Sequence, residues 1–278
     1  MSMTTTLQLN NNEMEAIAQT LHVEARQHVA PLWWASDPKD ANTVLHNASC
    51  FFVEIGDQRF GVTADHVIYG NDGEGAGGYL SDRQRHSASR LMIRNTDISD
   101  WEMRVIDHDH GLDVTTFRVS EDEFKAIGCR PFRCAPEGWP PQPPDVGRGV
   151  FIAGCPGAER RVLGQKGVEF LIETNGLVLT NCDGDELEVT IDRAHLRPIA
   201  GTPVPSMTKD LGGYSGAPLL VVSAAPLGPL FWLGGVVFRQ FRAKDEQDTT
   251  TLWARRPTCI RTNGQLIKSR YLIAGEAS

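Results

Sequence analysis

Three short motifs hold side chains of the types that acyl-transfer chemistry uses. The run Gly212-Gly213-Tyr214-Ser215-Gly216-Ala217-Pro218 brackets a serine with glycines on both sides. Glycine lets the backbone turn sharply, which would expose the Ser215 hydroxyl and aim nearby amide N–H groups at a developing oxyanion. Thr63-Ala64-Asp65-His66-Val67 follows an apolar strand and ends at a histidine, and His110-Gly111-Leu112-Asp113-Val114 sets an acid at the mouth of another. A serine nucleophile needs a base to take its proton and a carboxylate to orient that base. Singly, each motif has a plainer explanation: a Gly-rich turn, a surface or satisfied core histidine, a turn or N-cap aspartate.

Strands must hold these groups if they are to meet. Cys50–Ile55 and Phe60–Ala64 read as a hairpin around the turn Gly56-Asp57. Further strands are expected at Met103–Ile106, Val114–Val119, Gly149–Ala153, Val168–Ile172, Gly176–Thr180, Leu187–Ile191, Leu219–Ser223 and Leu230–Phe238. Many short strands punctuated by Gly and Pro indicate an all-β sandwich or barrel. Ahead of them, Met14, Ile17, Ala18, Leu21 and His22 fall at helical spacing, with Asn12 and Glu15 set as a capping box and Trp33-Trp34 expected to dock the helix. Five of the ten residues Ala135–Pro144 are proline, which marks an extended linker. The resulting division is an extension over 1–41, a first β unit over 42–135, a linker over 136–147 and a second β unit over 148–278. The tail Asn263–Ile273 is expected to form a short closing helix.

Composition narrows the function classes. With 27 Lys+Arg against 35 Asp+Glu, the 278-residue chain carries a formal charge of −8, which argues against a general nucleic-acid binder. No apolar run reaches the ~18–20 residues of a membrane span. The polar stretch Asn10–Glu15 stands where a secretory signal needs an apolar core, so a cytoplasmic protein is expected. Cys50, Cys129, Cys134, Cys155, Cys182 and Cys259 show no paired spacing, and reduced, mostly buried thiols are expected.

The order of the three motifs is the stronger signal. His66, Asp113 and Ser215 run His…Asp…Ser, whereas an α/β-hydrolase needs its histidine after the serine and the last histidine here is His195. The sequence resembles the trypsin-like (chymotrypsin-fold) serine peptidases over roughly residues 45–262. Thr63-Ala64-Asp65-His66-Val67 is similar to the family's T-A-x-H motif, Leu112-Asp113-Val114 to its apolar-Asp-apolar motif, and Gly213–Pro218 to G-x-S-G-G-P. The resemblance implies two packed six-stranded antiparallel β-barrels, with His66 and Asp113 on the first and Ser215 on the second. It implies Ser215 as nucleophile, His66 as general base and then acid, Asp113 as its orienter, and the Gly213 and Ser215 amides as oxyanion hole. Lys209 would lie near the base of a specificity pocket walled by Val237, Phe238 and Arg239. Its two cations would favour an acidic side chain before the scissile bond, with Asp210 offsetting them.

Departures from the family pattern place the chain nearest its bacterial, disulfide-free branch. Tyr214 stands where many secreted relatives have an Asp that pairs with a new N-terminal amine, and no Ile-Val-Gly-Gly start is present. The expected function is a serine endopeptidase acting on protein or peptide substrates. The alternative is a silent or partner-activated peptide-binding module, which would add a regulatory protein partner. Asp107-His108-Asp109-His110 alternates metal-ligating types, yet no third ligand is evident in sequence. The run is therefore read as a solvated loop, with no metal or cofactor expected.

Overall fold

The computed structural model describes residues 10–40, 43–70, 77–98, 100–157, 160–162, 168–192, 212–223, 230–241 and 249–268. The first half carries α1 (Asn11–Arg26), β1 (Ala30–Ala35), β2 (Leu45–Ile55) and β3 (Gln58–Thr63). It continues through α2 (Asp65–Tyr69), α3 (Tyr79–Arg85), β4 (Met92–Ile93), β5 (Thr96–Asp97), α4 (Trp101–Arg104), β6 (Val105–Asp109), β7 (Val114–Phe117), α5 (Glu121–Ile127) and β8 (Phe132–Cys134). In the second half, β9 (Gly149–Gly154) is followed by β10 (Arg160–Val162), β11 (Val168–Phe170), β12 (Glu173–Asp183), β13 (Glu186–Asp192), β14 (Pro218–Val222), β15 (Phe231–Phe241) and β16 (Thr249–Arg255).

Among the described residues, one of the two expected six-stranded barrels closes. The second half closes in the order β12-β13-β16-β15-β14-β9. The first half is an eight-stranded sheet, β5-β4-β1-β2-β3-β7-β6 with β8 parallel to β2, and it does not close among the described residues. The physical reason lies in β2. Its first six residues pair with β1 and its last five with β3, so one long strand serves two partners and β1 carries the sheet onward to the two-residue strands β4 and β5. β1 contains Trp33 and Trp34, which were expected to dock α1. Instead their indole N–H groups donate to the Arg94 carbonyl at 2.7 Å, just beyond β4, and to Asp82 Oδ2 of α3 at 2.9 Å.

The two-residue period of a strand divides its side chains between cores. Phe51, Val53 and Ile55 of β2 face a core shared with Phe151, Ala153, Leu220 and Leu233 of the barrel, while Cys50 and Phe52 face the other side of the sheet. Val150 and Ile152 of β9 point into the barrel against Leu179, Val189, Leu219 and Leu252. The shared core holds the two halves together, each fully buried large apolar side chain contributing about 1.5–3 kcal/mol. Pro136–Gly138 turns as a 3-10 helix in the Pro-rich connection, and Trp139 anchors it by donating to the Ile260 carbonyl at 2.7 Å.

Three terminal features differ from expectation. The capping box of α1 is Asn10 with Glu13 rather than Asn12 with Glu15, because the Asn-x-x-Glu spacing occurs in both registers and the helix takes the earlier one. Met103 belongs to the short helix α4, so the strand expected from 103 begins at Val105. Asn263-Gly264 makes a turn with Gly264 at φ +85°, and Leu266 bridges back to Ile260 where a closing helix was expected. The rest of that expected helix, 269–273, lies outside the described residues.

α1 packs against β9 and β12, with its Ala25, and Val29 just beyond it, in the shared core. His22 is buried against the Thr174 hydroxyl and the Phe151 ring, and His28 stacks on Phe132 at 4.4 Å. Burial, helped by the Arg26 charge, lowers the His22 pKa; burial also lowers that of His28 against the opposing pull of Glu24. A histidine whose folded pKa is depressed binds fewer protons folded than unfolded, so its contribution is intact above the ordinary value near 6.5 and is lost as pH falls below it. Amide hydrogen exchange in α1, corrected for intrinsic rate, is expected to accelerate relative to the barrel from about pH 7.5 to about pH 5.5. Equal changes in α1 and barrel would show that these histidines do not govern docking.

Candidate active site

β3 ends at Thr63, and α2 starts at Asp65, which brings His66 into the first helical turn at the edge of the sheet. Asp113 occupies the turn between β6 and β7 at φ +53°, a left-handed conformation that Asp tolerates better than most residues. There its carboxylate meets His66 twice. Asp113 Oδ1 accepts from the His66 backbone N–H at 2.9 Å, while His66 Nδ1 lies 3.0 and 2.8 Å from Oδ1 and Oδ2. On the other side of the ring, His66 Nε2 is 2.9 Å from Ser215 Oγ. An ionised carboxylate only accepts, so the proton belongs on Nδ1 and the Nε2 lone pair is free to accept from the serine hydroxyl. The three expected residues therefore form one hydrogen-bonded chain, with Ser215 supplied from the barrel side.

The loop carrying Ser215 depends on two glycines. Gly213 has φ +108°, and a Cβ there would lie 2.2 Å from the Cys155 carbonyl oxygen; Gly216 has φ +81°, with a Cβ 2.1 Å from the Ser49 carbonyl oxygen. Gly216 N–H donates to the Val237 carbonyl and Val237 N–H to the Ala217 carbonyl, both at 2.8 Å, so the loop is laced to β15. Among the described residues, the backbone N–H groups of Gly213 and Ser215 have no hydrogen-bond partner. Backbone amides beside a serine hydroxyl are the donor type that a tetrahedral oxyanion requires.

Side chains beyond the motifs fix this loop. Ser49 of β2 donates from Oγ to the Gly213 carbonyl at 2.6 Å and accepts from the Cys155 N–H at 3.0 Å, while its own N–H donates to the Ser215 carbonyl at 2.9 Å. Asn47 donates to the Cys155 carbonyl at 2.6 Å. A hydroxyl residue beside an apolar strand run is the one cue to Ser49 in the sequence. Ser49→Ala leaves a buried carbonyl and amide unsatisfied, so it is expected to cost about 1–3 kcal/mol of stability. A thermal-denaturation midpoint unchanged from the parent chain would refute that role.

Tyr214 is buried inside the barrel. Its ring lies over Gly154, where a Cβ would sit 2.5 Å from the ring, and its hydroxyl accepts from Asn175 Nδ2 at 2.8 Å. The loop is thus anchored from within the barrel at the position where the resemblance would place an activating Asp. Burial pushes the Cys155 thiol up to about 12, which leaves it protonated and unreactive beside the site. All six cysteines are free, four of them buried.

Of the pocket candidates, Val237 borders the Ser215 loop through its backbone. Phe238 is 9% exposed and lies under the Arg255 guanidinium, 4.6 Å from the ring centroid. That same Arg255 donates to the Leu112 carbonyl at 3.2 Å, next to Asp113. Arg239 is exposed on β15, and Lys209 and Asp210 lie outside the described residues.

No protein-family model and no curated protein sequence matches the chain. Solved structures do. A thermostable serine protease, AL20, from an extremophilic microorganism is similar over 83% of this chain and 91% of its own, at 10% identity and a TM-score of 0.46. The protease Anisep from Arthrobacter nicotinovorans is similar over 84% and 92%, at 10% identity and a TM-score of 0.43. A structure from work on coupled folding and binding of the Sesbania mosaic virus VPg protein is similar over 86% and 92%, at 11% identity and a TM-score of 0.42.

Proposed function

We propose that this chain is a serine endopeptidase that works through an acyl-enzyme. The observation carrying this reading is the unbroken hydrogen-bonded chain from Asp113 through His66 to Ser215, beside two backbone amides with no partner among the described residues. Ser215 Oγ attacks the scissile carbonyl carbon while its proton passes to His66 Nε2. Asp113 holds the imidazole tautomer and stabilises the imidazolium, and the Gly213 and Ser215 N–H groups receive the oxyanion. Collapse of the tetrahedral species breaks the C–N bond, with His66 giving its proton to the departing amine. Water then enters, activated by the same histidine, and releases the second product from Ser215.

A silent or partner-activated module is the less favoured reading. Such a module has no need of a histidine within 2.9 Å of the serine hydroxyl, and Tyr214 with Asn175 anchors the nucleophile loop without a new N-terminus or a partner. The purified chain, incubated with a proteome-derived peptide library, is expected to generate new peptide termini that disappear after pretreatment with a fluorophosphonate. The same profile reports whether an acidic residue precedes the cleaved bond. A library left uncut, or cut equally after pretreatment, would overturn the proposal.

A further inference from the structure

The Asp107–His110 run gains in the fold what it lacks in the sequence, a third ligand. His108 at the end of β6 and His110 just beyond it both approach Asp65, the residue that opens α2. One donor atom from each of the three residues falls in a group whose members lie within 4.8 Å of one another. His108 Nδ1 is 3.2 Å from Asp65 Oδ1, and His110 Nδ1 is in contact with Asp65 Oδ2. Zinc bonds of about 2.0–2.2 Å in a tetrahedral arrangement separate neighbouring donors by about 3.3–3.5 Å. The His108–Asp65 spacing is therefore close to that of two ligands on one ion.

Three features set this cluster apart from an ordinary histidine–carboxylate pair. Asp65 is 0% exposed, yet among the described residues its Oδ2 makes no hydrogen bond, and the buried Nδ1 of His108 makes none either. Imidazole nitrogens thus lie against a buried carboxylate without forming N–H···O hydrogen bonds to it. The ligands are also oriented from behind. Thr115 Oγ1 donates to Asp65 Oδ1 at 2.7 Å, and Tyr69 stacks on His108 at 4.1 Å and meets His110 edge-on. Such outer contacts fix ligand geometry in metal sites. Lastly, the His108 and His110 side chains are 39% and 54% exposed, so an ion has an entry path and room for water at a fourth position.

We propose that Asp65, His108 and His110 form a binding site for a divalent transition cation of the zinc type. Two imidazoles and one carboxylate suit zinc, cobalt or nickel better than calcium or magnesium, which prefer all-oxygen shells. The site is separate from the hydrogen-bonded chain described above, because both ring nitrogens of His66 are engaged by Asp113 and Ser215. It nevertheless joins the two segments that carry His66 and Asp113, since Asp65 precedes the first and His110 stands three residues before the second.

Isothermal titration of the full chain with zinc chloride, after dialysis against a chelator, tests this without any catalytic readout. One equivalent of zinc is expected to bind, and His108→Gln and His110→Gln should each weaken that binding at least about tenfold, the scale already reached when outer-shell groups are removed. Excess magnesium should not compete. Absence of saturable binding, or binding unchanged in both variants, would overturn the proposal. Asp65→Asn probes the buried ligand in the same way; if it lowers the folded yield, the two exposed histidine variants decide the matter alone.

Discussion

Replacing Ser215 by Ala is expected to lower kcat for peptide hydrolysis by roughly a million-fold, the scale reached when a triad nucleophile is removed. The size follows from the geometry. The hydroxyl is the one group placed 2.9 Å from His66 Nε2, and no other nucleophilic side chain among the described residues contacts that nitrogen. The fold should be indifferent to the change, because the loop is held by backbone bonds, Ser49 N–H to the Ser215 carbonyl and Gly216 N–H to the Val237 carbonyl, which alanine retains. The thermal midpoint and KM should therefore stay near those of the parent chain while turnover disappears. Hydrolysis within about tenfold of the parent would place the chemistry elsewhere.

Asp113→Asn should lower kcat by about ten-thousand-fold while leaving the backbone in place. Asparagine tolerates the left-handed φ of +53° that position 113 requires, so the turn between β6 and β7 survives the exchange. Its amide oxygen can still accept from the His66 backbone N–H. Its NH2 group, however, cannot accept from Nδ1–H, and the imidazole is driven to the tautomer with its proton on Nε2, which cannot accept the serine proton. Asp113→Ala provides the contrast, since it adds strain at a positive φ and leaves a ring N–H unpaired. Both variants should lose activity to a similar degree, with a lower thermal midpoint for Asp113→Ala alone. Full turnover in Asp113→Asn would remove the carboxylate from the mechanism.

The candidate site was legible in sequence because each of its three residues stands next to a strong local signal. His66 follows a period-two strand, Asp113 opens another, and Ser215 lies between glycines whose positive φ values the loop requires. What the sequence concealed is long-range. Ser49 acts on Gly213 and Cys155, the latter 106 residues away, and Asn175 on Tyr214, 39 residues away; neither lies in a motif. The eight-stranded sheet of the first half was hidden in the same way, since β1 pairs with β2 while its Trp33 and Trp34 bond to Arg94 and Asp82, 61 and 48 residues away. Asp65 was hidden differently. Read as a spacer within the histidine motif, it is a buried carboxylate facing two histidines more than forty residues on. At the tail, the expected closing helix gives way to the Asn263-Gly264 turn, where the Thr116 hydroxyl donates to the Gly264 carbonyl at 2.6 Å across a long stretch of sequence.

Mass-spectrometric mapping of a fluorophosphonate adduct tests the central claim most directly, because covalent capture requires a serine made nucleophilic by its base. A single adduct on the peptide containing Ser215 is expected in the parent chain, with labelling strongly slowed in His66→Ala and absent in Ser215→Ala. An adduct on a different residue, no adduct at all, or labelling of Ser215 at the same rate without His66 would contradict the account.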